Sequence, residues 1–303
     1  MTDFRGFYAA TLTPFSADGS AVASDALGRL VEHDIAAGLD GLYVGGSTGE
    51  AFLMSPEERL HVFAATAEAA RGRTRLIAHV GDLNPAVATH LAREAAKLGY
   101  DAVSAVPPFY YGYGWAEIRA FYAALATATD LPFLVYNIPS FSGVALSAGQ
   151  LAELARLPNV AGIKFTSADL YGLERLRRQL PDRVLLNGYD ELLLAGLSMG
   201  ADGGIGSTYN VQGRRVMALA RALAAGETAR AQELQRDMNR LIDLLVEVGV
   251  MPGLKFLLSL WGLPMGPCRP PFLPLDAAAK ARLEEAAETM LDGEPRPAEA
   301  AGH

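Results

Sequence analysis

Eight short, mostly apolar runs punctuate this chain, at residues 6–12, 41–44, 76–80, 102–106, 132–136, 160–163, 184–186 and 201–205. Runs of that length, bounded by turn residues, read as strands buried on both faces. The stretches between them carry helical spacing. In residues 24–37, Leu27, Leu30, Val31 and Ile35 fall on one face. Ser55-Pro56-Glu57-Glu58 is a helix start, with a capping serine, a proline at the first position and acids in the first turn. Further helices are expected over 85–98, 115–127, 147–157 and 171–179, with a short one ending at Met199. Strand and helix alternating eight times over is the pattern of a closed parallel α/β sheet, the (β/α)8 or TIM barrel. An open doubly wound sheet is the competitor; it has fewer units, and the first strand here lacks the GxGxxG phosphate turn.

Beyond residue 209 the pattern is purely helical, over 211–225, 228–248, 252–261 and 276–291. The barrel is therefore expected to occupy residues 1–225 and a C-terminal helical extension residues 226–291. Residues 292–303 are polar, contain two prolines and have no periodicity, which reads as a disordered tail.

Composition removes several function classes. The formal charge of −8 argues against nucleic acid and against an anionic membrane surface. No run reaches the length of a bilayer span, and the N-terminus does not read as a signal peptide. A single cysteine, Cys268, leaves no intrachain disulfide and no cysteine-based zinc cluster. The five histidines (His33, His61, His79, His90, His303) have no metal-ligand spacing and read as surface or packing residues. No metal and no cofactor is called for, and a reducing, cytoplasmic setting fits.

In such a barrel, function lies at the C-terminal ends of the strands. Lys164 sits where the sixth strand should end. Only four of the twenty-six basic residues are lysine (Lys97, Lys164, Lys255, Lys280), so arginine is this chain's ordinary cation. Arginine cannot act as a nucleophilic amine, whereas a desolvated lysine can. Lys164 is thus either a Schiff-base nucleophile or a strand-end lysine that snorkels to solvent. Gly45-Gly46-Ser47-Thr48-Gly49 after the second strand is either an anion nest suited to a carboxylate or a plain glycine-rich turn. Tyr136 ends the fifth strand, as a proton-transfer phenol or an ordinary strand aromatic. Tyr110 and Tyr111 follow the fourth strand, in an aromatic loop that either packs on itself or, being large and apolar for solvent, meets a neighbour. Asp190 and Glu191 follow the seventh strand, as acceptors for polyol hydroxyls or as helix N-terminal acids. Ser207 follows the eighth.

Together these stretches resemble a known family. Gly45-Gly46-Ser47-Thr48-Gly49-Glu50, Tyr136-Asn137-Ile138-Pro139 and Gly162-Ile163-Lys164-Phe165-Thr166 are similar to the signatures of the pyruvate-dependent class I aldolases, the dihydrodipicolinate synthase and N-acetylneuraminate lyase family. Asn187-Gly188-Tyr189-Asp190-Glu191 and residues 200–210 (GADGGIGSTYN) resemble its lyase branch. The resemblance spans residues 5 to 290. It implies a (β/α)8 barrel with a C-terminal helical extension, assembled as a homotetramer.

It also implies roles. Lys164 would form the imine with substrate and with pyruvate. Ser47 and Thr48 would hold the carboxylate. Tyr136 would relay protons, helped by Ser47 and by Tyr110 reaching across a subunit interface. Thr166, Gly188, Asp190, Glu191 and Ser207 would bind the hydroxyl chain of a 2-keto-3-deoxy sugar acid. The implied reaction is reversible cleavage of N-acetylneuraminate to pyruvate and N-acetylmannosamine. The synthase branch carries an arginine where this chain has Phe141, and some lyases carry an aromatic where it has Met251, a position expected on the pocket rim. A sister aldolase or dehydratase for another keto-deoxy sugar acid, and a non-catalytic barrel that senses a keto acid, are the alternatives.

Overall fold

A computed structural model describes residues 3–296. The eight apolar runs form β1 (Gly6–Ala10), β2 (Gly41–Val44), β3 (Arg75–His79), β4 (Ala102–Ala105), β5 (Phe133–Asn137), β6 (Val160–Phe165), β7 (Val184–Asn187) and β8 (Gly203–Gly206). They follow one another in sequence order around a closed barrel. The registered neighbours, such as β5 with β6 and β6 with β7, are parallel. Every residue of β5, β6 and β7 is buried, which explains why these strands read as continuous apolar runs rather than as alternating ones. Gly162 allows β6 to approach β7 closely, since a Cβ there would lie 2.1 Å from the Val184 carbonyl oxygen.

The intervening helices are α1 (Ser24–Ala36), α2 (Pro56–Ala70), α3 (Pro85–Lys97), α4 (Trp115–Ala126), α5 (Pro139–Ser142), α6 (Ala148–Ala155), α7 (Leu170–Gln179) and α8 (Leu193–Ser198). After β8 come α9 (Tyr209–Ala224), α10 (Thr228–Val248), α11 (Val250–Leu260) and α12 (Ala277–Thr289). The expected start of α2 is present: the Ser55 hydroxyl accepts from the Glu58 N–H at 3.2 Å, and the Glu58 carboxylate accepts from the Ser55 N–H at 2.9 Å. A cap of this kind stabilises a helix by about 1 kcal/mol. The single turn α5 was not anticipated, because four residues are too few to show a period.

The chain forms two compact units, one of residues up to Gly6 with Arg75–Ile205, the other of Phe7–Thr74 with the chain from Gly206 onward. The first contains β3 to β7. The second contains β2 and all four C-terminal helices. In it, Leu12 and Leu30 share an apolar cluster with Leu241, Leu245, Leu254, Leu257, Trp261 and Leu283. The apolar stripes of α10 to α12 are thus buried against residues from the start of the chain, and each fully buried leucine contributes about 1.5–3 kcal/mol.

Of the stretch 292–303, expected as a disordered tail, the first five residues are described and are tied down. Glu294 is buried, and its carboxylate accepts the Arg214 and Arg215 N–H groups at 3.0 Å each. Those donors are available because α9 is broken at Gln212 (φ −129°, ψ 22°), so a new helical start follows it. Residues 297–303 lie outside the described residues.

Candidate active site

Strand register brings the first two site residues together. Tyr136 of β5 and Lys164 of β6 are direct partners across the two strands, so their side chains stand side by side on one face. Lys164 Nζ lies 4.0 Å from the centroid of the Tyr136 ring. Lys164 is 4 % exposed and Tyr136 3 %. Lys164 does not end its strand: β6 runs on through Phe165, which pairs with Asn137 on one side and Asn187 on the other. It therefore does not snorkel. Burial pulls its ammonium down to about 7, and the negative charge of Asp190 pushes back upward. Near neutral pH about half of such lysines carry a free amine, against roughly one in three thousand for an ordinary lysine.

Behind Tyr136 stands His79, the last residue of β3. It is fully buried, and its ring meets the Tyr136 ring edge-on, with centroids 6.0 Å apart and planes at 88°. The Val106 N–H donates to His79 Nε2 at 3.4 Å, which makes that nitrogen the acceptor and puts the ring proton on Nδ1. Sequence reading had placed His79 among surface and packing residues. Its one signal was its position at the C-terminal end of a strand.

The end of β7 supplies a second wall. Gly188 packs so tightly on Thr166 that a Cβ there would lie 1.8 Å from Thr166 Oγ1 and 2.7 Å from its Cβ. That hydroxyl is buried and makes no hydrogen bond within the described residues, the state expected of a group reserved for a ligand. Asn187 Nδ2 donates to the Tyr189 carbonyl at 2.6 Å, and the Tyr189 hydroxyl lies 3.1 Å from Ser140 Oγ. The acids that follow part company: Asp190 is buried and opens a single 3-10 turn (Asp190–Leu192), whereas Glu191 is exposed. Asp190 is thus the acid that acts on Lys164.

In the other compact unit, the loop after β2 turns at Gly45, whose φ of 68° suits a residue without Cβ. The Gly49 N–H bonds the Gly46 carbonyl and the Glu50 N–H bonds the Ser47 carbonyl, each at 3.1 Å. The donors of these two bonds are Gly49 and Glu50. Thr48 Oγ1 lies 2.6 Å from Ser207 Oγ, so the loop after β2 and the loop after β8 share a hydroxyl pair. Glu50, with φ 58°, carries a side chain in the left-handed region, a conformation that costs about 1 kcal/mol or more. Its carboxylate meets Lys255 Nζ at 2.6 Å, both groups fully buried. Burial pushes the neighbouring Cys268 thiol up to about 12, with Lys255 pulling the other way and Glu50 adding to the rise.

The remaining expected residues are exposed or packed. Tyr110 is 82 % exposed, holds φ 80° and meets the Tyr111 ring edge-on. Phe141 lies on α5, 70 % exposed. Met251, expected at a pocket rim, packs against the apolar cluster of the C-terminal helices. Among the described residues no group of three or more metal-binding side chains is gathered, and no helix is long and apolar enough to cross a membrane.

Known proteins are similar to this chain in sequence and in fold. The N-acetylneuraminate lyase of Rhizobium meliloti (strain 1021) is 48% identical over 288 residues, 95% of each chain. The crystal structure of CdNal from Clostridium difficile in complex with mannosamine is 36% identical, with a TM-score of 0.93 over 95% of this chain and 100% of that one. The N-acetylneuraminate lyase from Fusobacterium nucleatum complexed with pyruvate is 35% identical, with a TM-score of 0.90 over 95% and 97%. A profile of the dihydrodipicolinate synthetase family matches residues 3–290. With that match over nearly its whole length, a closed parallel barrel and a buried amine against a phenol, the chain belongs to the dihydrodipicolinate synthetase family.

Proposed function

We propose that this protein is a Schiff-base aldolase that reversibly cleaves N-acetylneuraminate to pyruvate and N-acetylmannosamine. The observation that carries the reading is the buried Lys164 amine, held near 7 and stacked on Tyr136. The free amine attacks the keto carbon, Tyr136 gives its phenolic proton to the departing hydroxyl, and loss of water leaves a protonated imine. The Tyr136 phenolate takes the proton of the C4 hydroxyl, the C3–C4 bond breaks, and its electron pair passes into the imine to give an enamine and the free sugar. Tyr136 returns that proton to C3, and addition of one water to the imine, its surplus proton going back to the phenolate, releases pyruvate and restores the Lys164 amine and the phenol. Ser47 and Thr48 take the substrate carboxylate. Thr166, Gly188, Asp190, Glu191 and Ser207 face the hydroxyl chain.

A relative complexed with pyruvate supports the pyruvate half of the reaction, and similarity at 48% identity to an N-acetylneuraminate lyase supports this substrate over others in the family. So does Phe141, which cannot pair with a second carboxylate as an arginine would. The exposed Tyr110 and Tyr111 support a subunit interface over this loop; we read the assembly as a homotetramer in which Tyr110 enters a neighbour's site, and the setting as cytoplasmic. On this reading the barrel, residues 1–225, carries the chemistry, and the helices of 226–291 brace it.

A coupled pyruvate-release assay over a panel of 2-keto-3-deoxy sugar acids tests the proposal. N-acetylneuraminate should be turned over best, with N-acetylmannosamine as the second product. Turnover of a different panel member alone would make the protein a sister aldolase. Binding without any turnover would make it a keto-acid sensor.

A further inference from the structure

Lys164 is one of two deeply buried lysines, and the other, Lys255 of α11, has no part in the chemistry above. Its surroundings are opposite in kind. Nζ lies 2.6 Å from Glu50 Oε1, donates to the Pro267 carbonyl at 3.1 Å and sits 4.3 Å from the centroid of the Phe15 ring. The second Glu50 oxygen accepts the Arg269 N–H at 2.7 Å. The Arg269 guanidinium in turn donates to the Leu53 carbonyl at 3.0 Å and to Glu58 at 2.7 Å, and also lies over Phe15. A buried ion pair is a poor stabiliser, since removing two charges from water offsets most of their attraction, and an apolar pair of similar size packs as well. Its use is to fix a geometry.

The geometry it fixes is the loop of residues 45–50. Glu50 is held in the left-handed region, which a residue with a side chain keeps only where its surroundings enforce it. The Glu50 N–H bonds the Ser47 carbonyl, so the Glu50 backbone sets the orientation of Ser47. Thr13 Oγ1 bonds the Gly49 carbonyl at 2.8 Å from the other side, and Thr48 bonds Ser207. We propose that Glu50 and Lys255 are positioning residues, a buried charge clamp that locks the left-handed end of the loop so that Ser47 and Thr48 present their hydroxyls and N–H groups to the substrate carboxylate. The proposal rests on the assignment of the carboxylate to Ser47 and Thr48. The clamp acts through the loop, so on its removal affinity for the carboxylate should fall more than the rate of the bond-breaking step, because the clamp itself touches no reacting atom.

The test uses the full chain with Glu50→Gln, Lys255→Met and the double variant. Lys255→Met alone strands a buried carboxylate, whereas the double variant removes both charges. Two quantities are measured: the split of KM against kcat, with pyruvate as a product inhibitor, and amide hydrogen exchange across residues 45–54. The double variant should raise KM and the pyruvate inhibition constant by about tenfold or more while kcat changes less than about threefold, with faster exchange in the loop. If the double variant does not fold, Glu50→Gln alone, which keeps the side-chain volume and one acceptor oxygen, gives the same two readouts. Faster exchange with KM and inhibition unchanged would overturn the positioning role, whereas unchanged pyruvate inhibition in Ser47→Ala with Thr48→Val would overturn the carboxylate assignment itself. Parental exchange in the loop would overturn the clamp itself.

Discussion

Replacing Lys164 should make the protein more stable, and by an amount set by pH. Lys164 is almost fully buried, and burial moves it from an ordinary 10.5 to about 7. Its folded value lies below its unfolded one, so above about pH 7 folding expels a proton that the unfolded chain keeps. The resulting cost is complete below about pH 6, falls by about 1.4 kcal/mol per pH unit above 7, and vanishes near 10.5. It is about 4 kcal/mol at pH 7 and about 2 kcal/mol at pH 9. Lys164→Met removes the charge and keeps the unbranched stem. It gives up the cation–π contact at 4.0 Å, which is worth about 0.5–2 kcal/mol, but retains a sulfur–aromatic contact of about 0.3–1.5 kcal/mol. The burial cost is the larger quantity, so the variant should be more stable at neutral pH. Guanidinium unfolding of both proteins at one fixed protomer concentration, from about pH 6 to about pH 9, measures the difference. The gain should shrink as pH rises. A gain that does not vary with pH, or a parent more stable than the variant at neutral pH, would refute the argument that burial holds this amine free.

Asp190→Asn should move the acid limb of kcat/KM to lower pH, because the Asp190 charge raises the Lys164 value that governs the free amine. The whole profile should also drop by about 10- to 150-fold for a sugar acid that bonds Asp190; a limb displaced upward in a pH–rate titration would contradict the assignment. Gly188→Ala should destabilise by about 1–3 kcal/mol through overpacking and lower kcat/KM, since the added methyl would lie 1.8 Å from Thr166 Oγ1. Adding Thr166→Ala should recover part of that stability in a thermal melt, and no loss from Gly188→Ala would show that the two strand ends yield freely.

The barrel was legible because burial on both faces writes each strand as an unbroken apolar run, and because α2 announces its start at Ser55. Element ends were less legible. Lys164 was read as the end of a strand that continues through Phe165, since the last rung depends on Asn137 and Asn187 in neighbouring strands. Of the site, Lys164, Tyr136 and the loop from Gly45 stood out by residue type and position. What sequence could not give is pairing. Nothing local says that His79 backs Tyr136, that Asp190 is buried and Glu191 exposed, or that Lys255 meets Glu50 from 205 positions away. The tail expectation failed at Glu294 for the same reason: a polar residue looks solvated until the broken start of α9 supplies its donors.

The central claim is that Lys164 is the amine that bonds the substrate. Borohydride reduction in the presence of pyruvate, followed by peptide mass spectrometry, tests it most directly. One reduced pyruvyl group per chain should appear, on the peptide holding Lys164, with loss of activity, and Lys164→Arg should abolish both label and turnover. Lys255 is the natural control, since it is equally buried but paired with Glu50. Label on Lys255, Lys97 or Lys280, or inactivation without label on Lys164, would contradict the account.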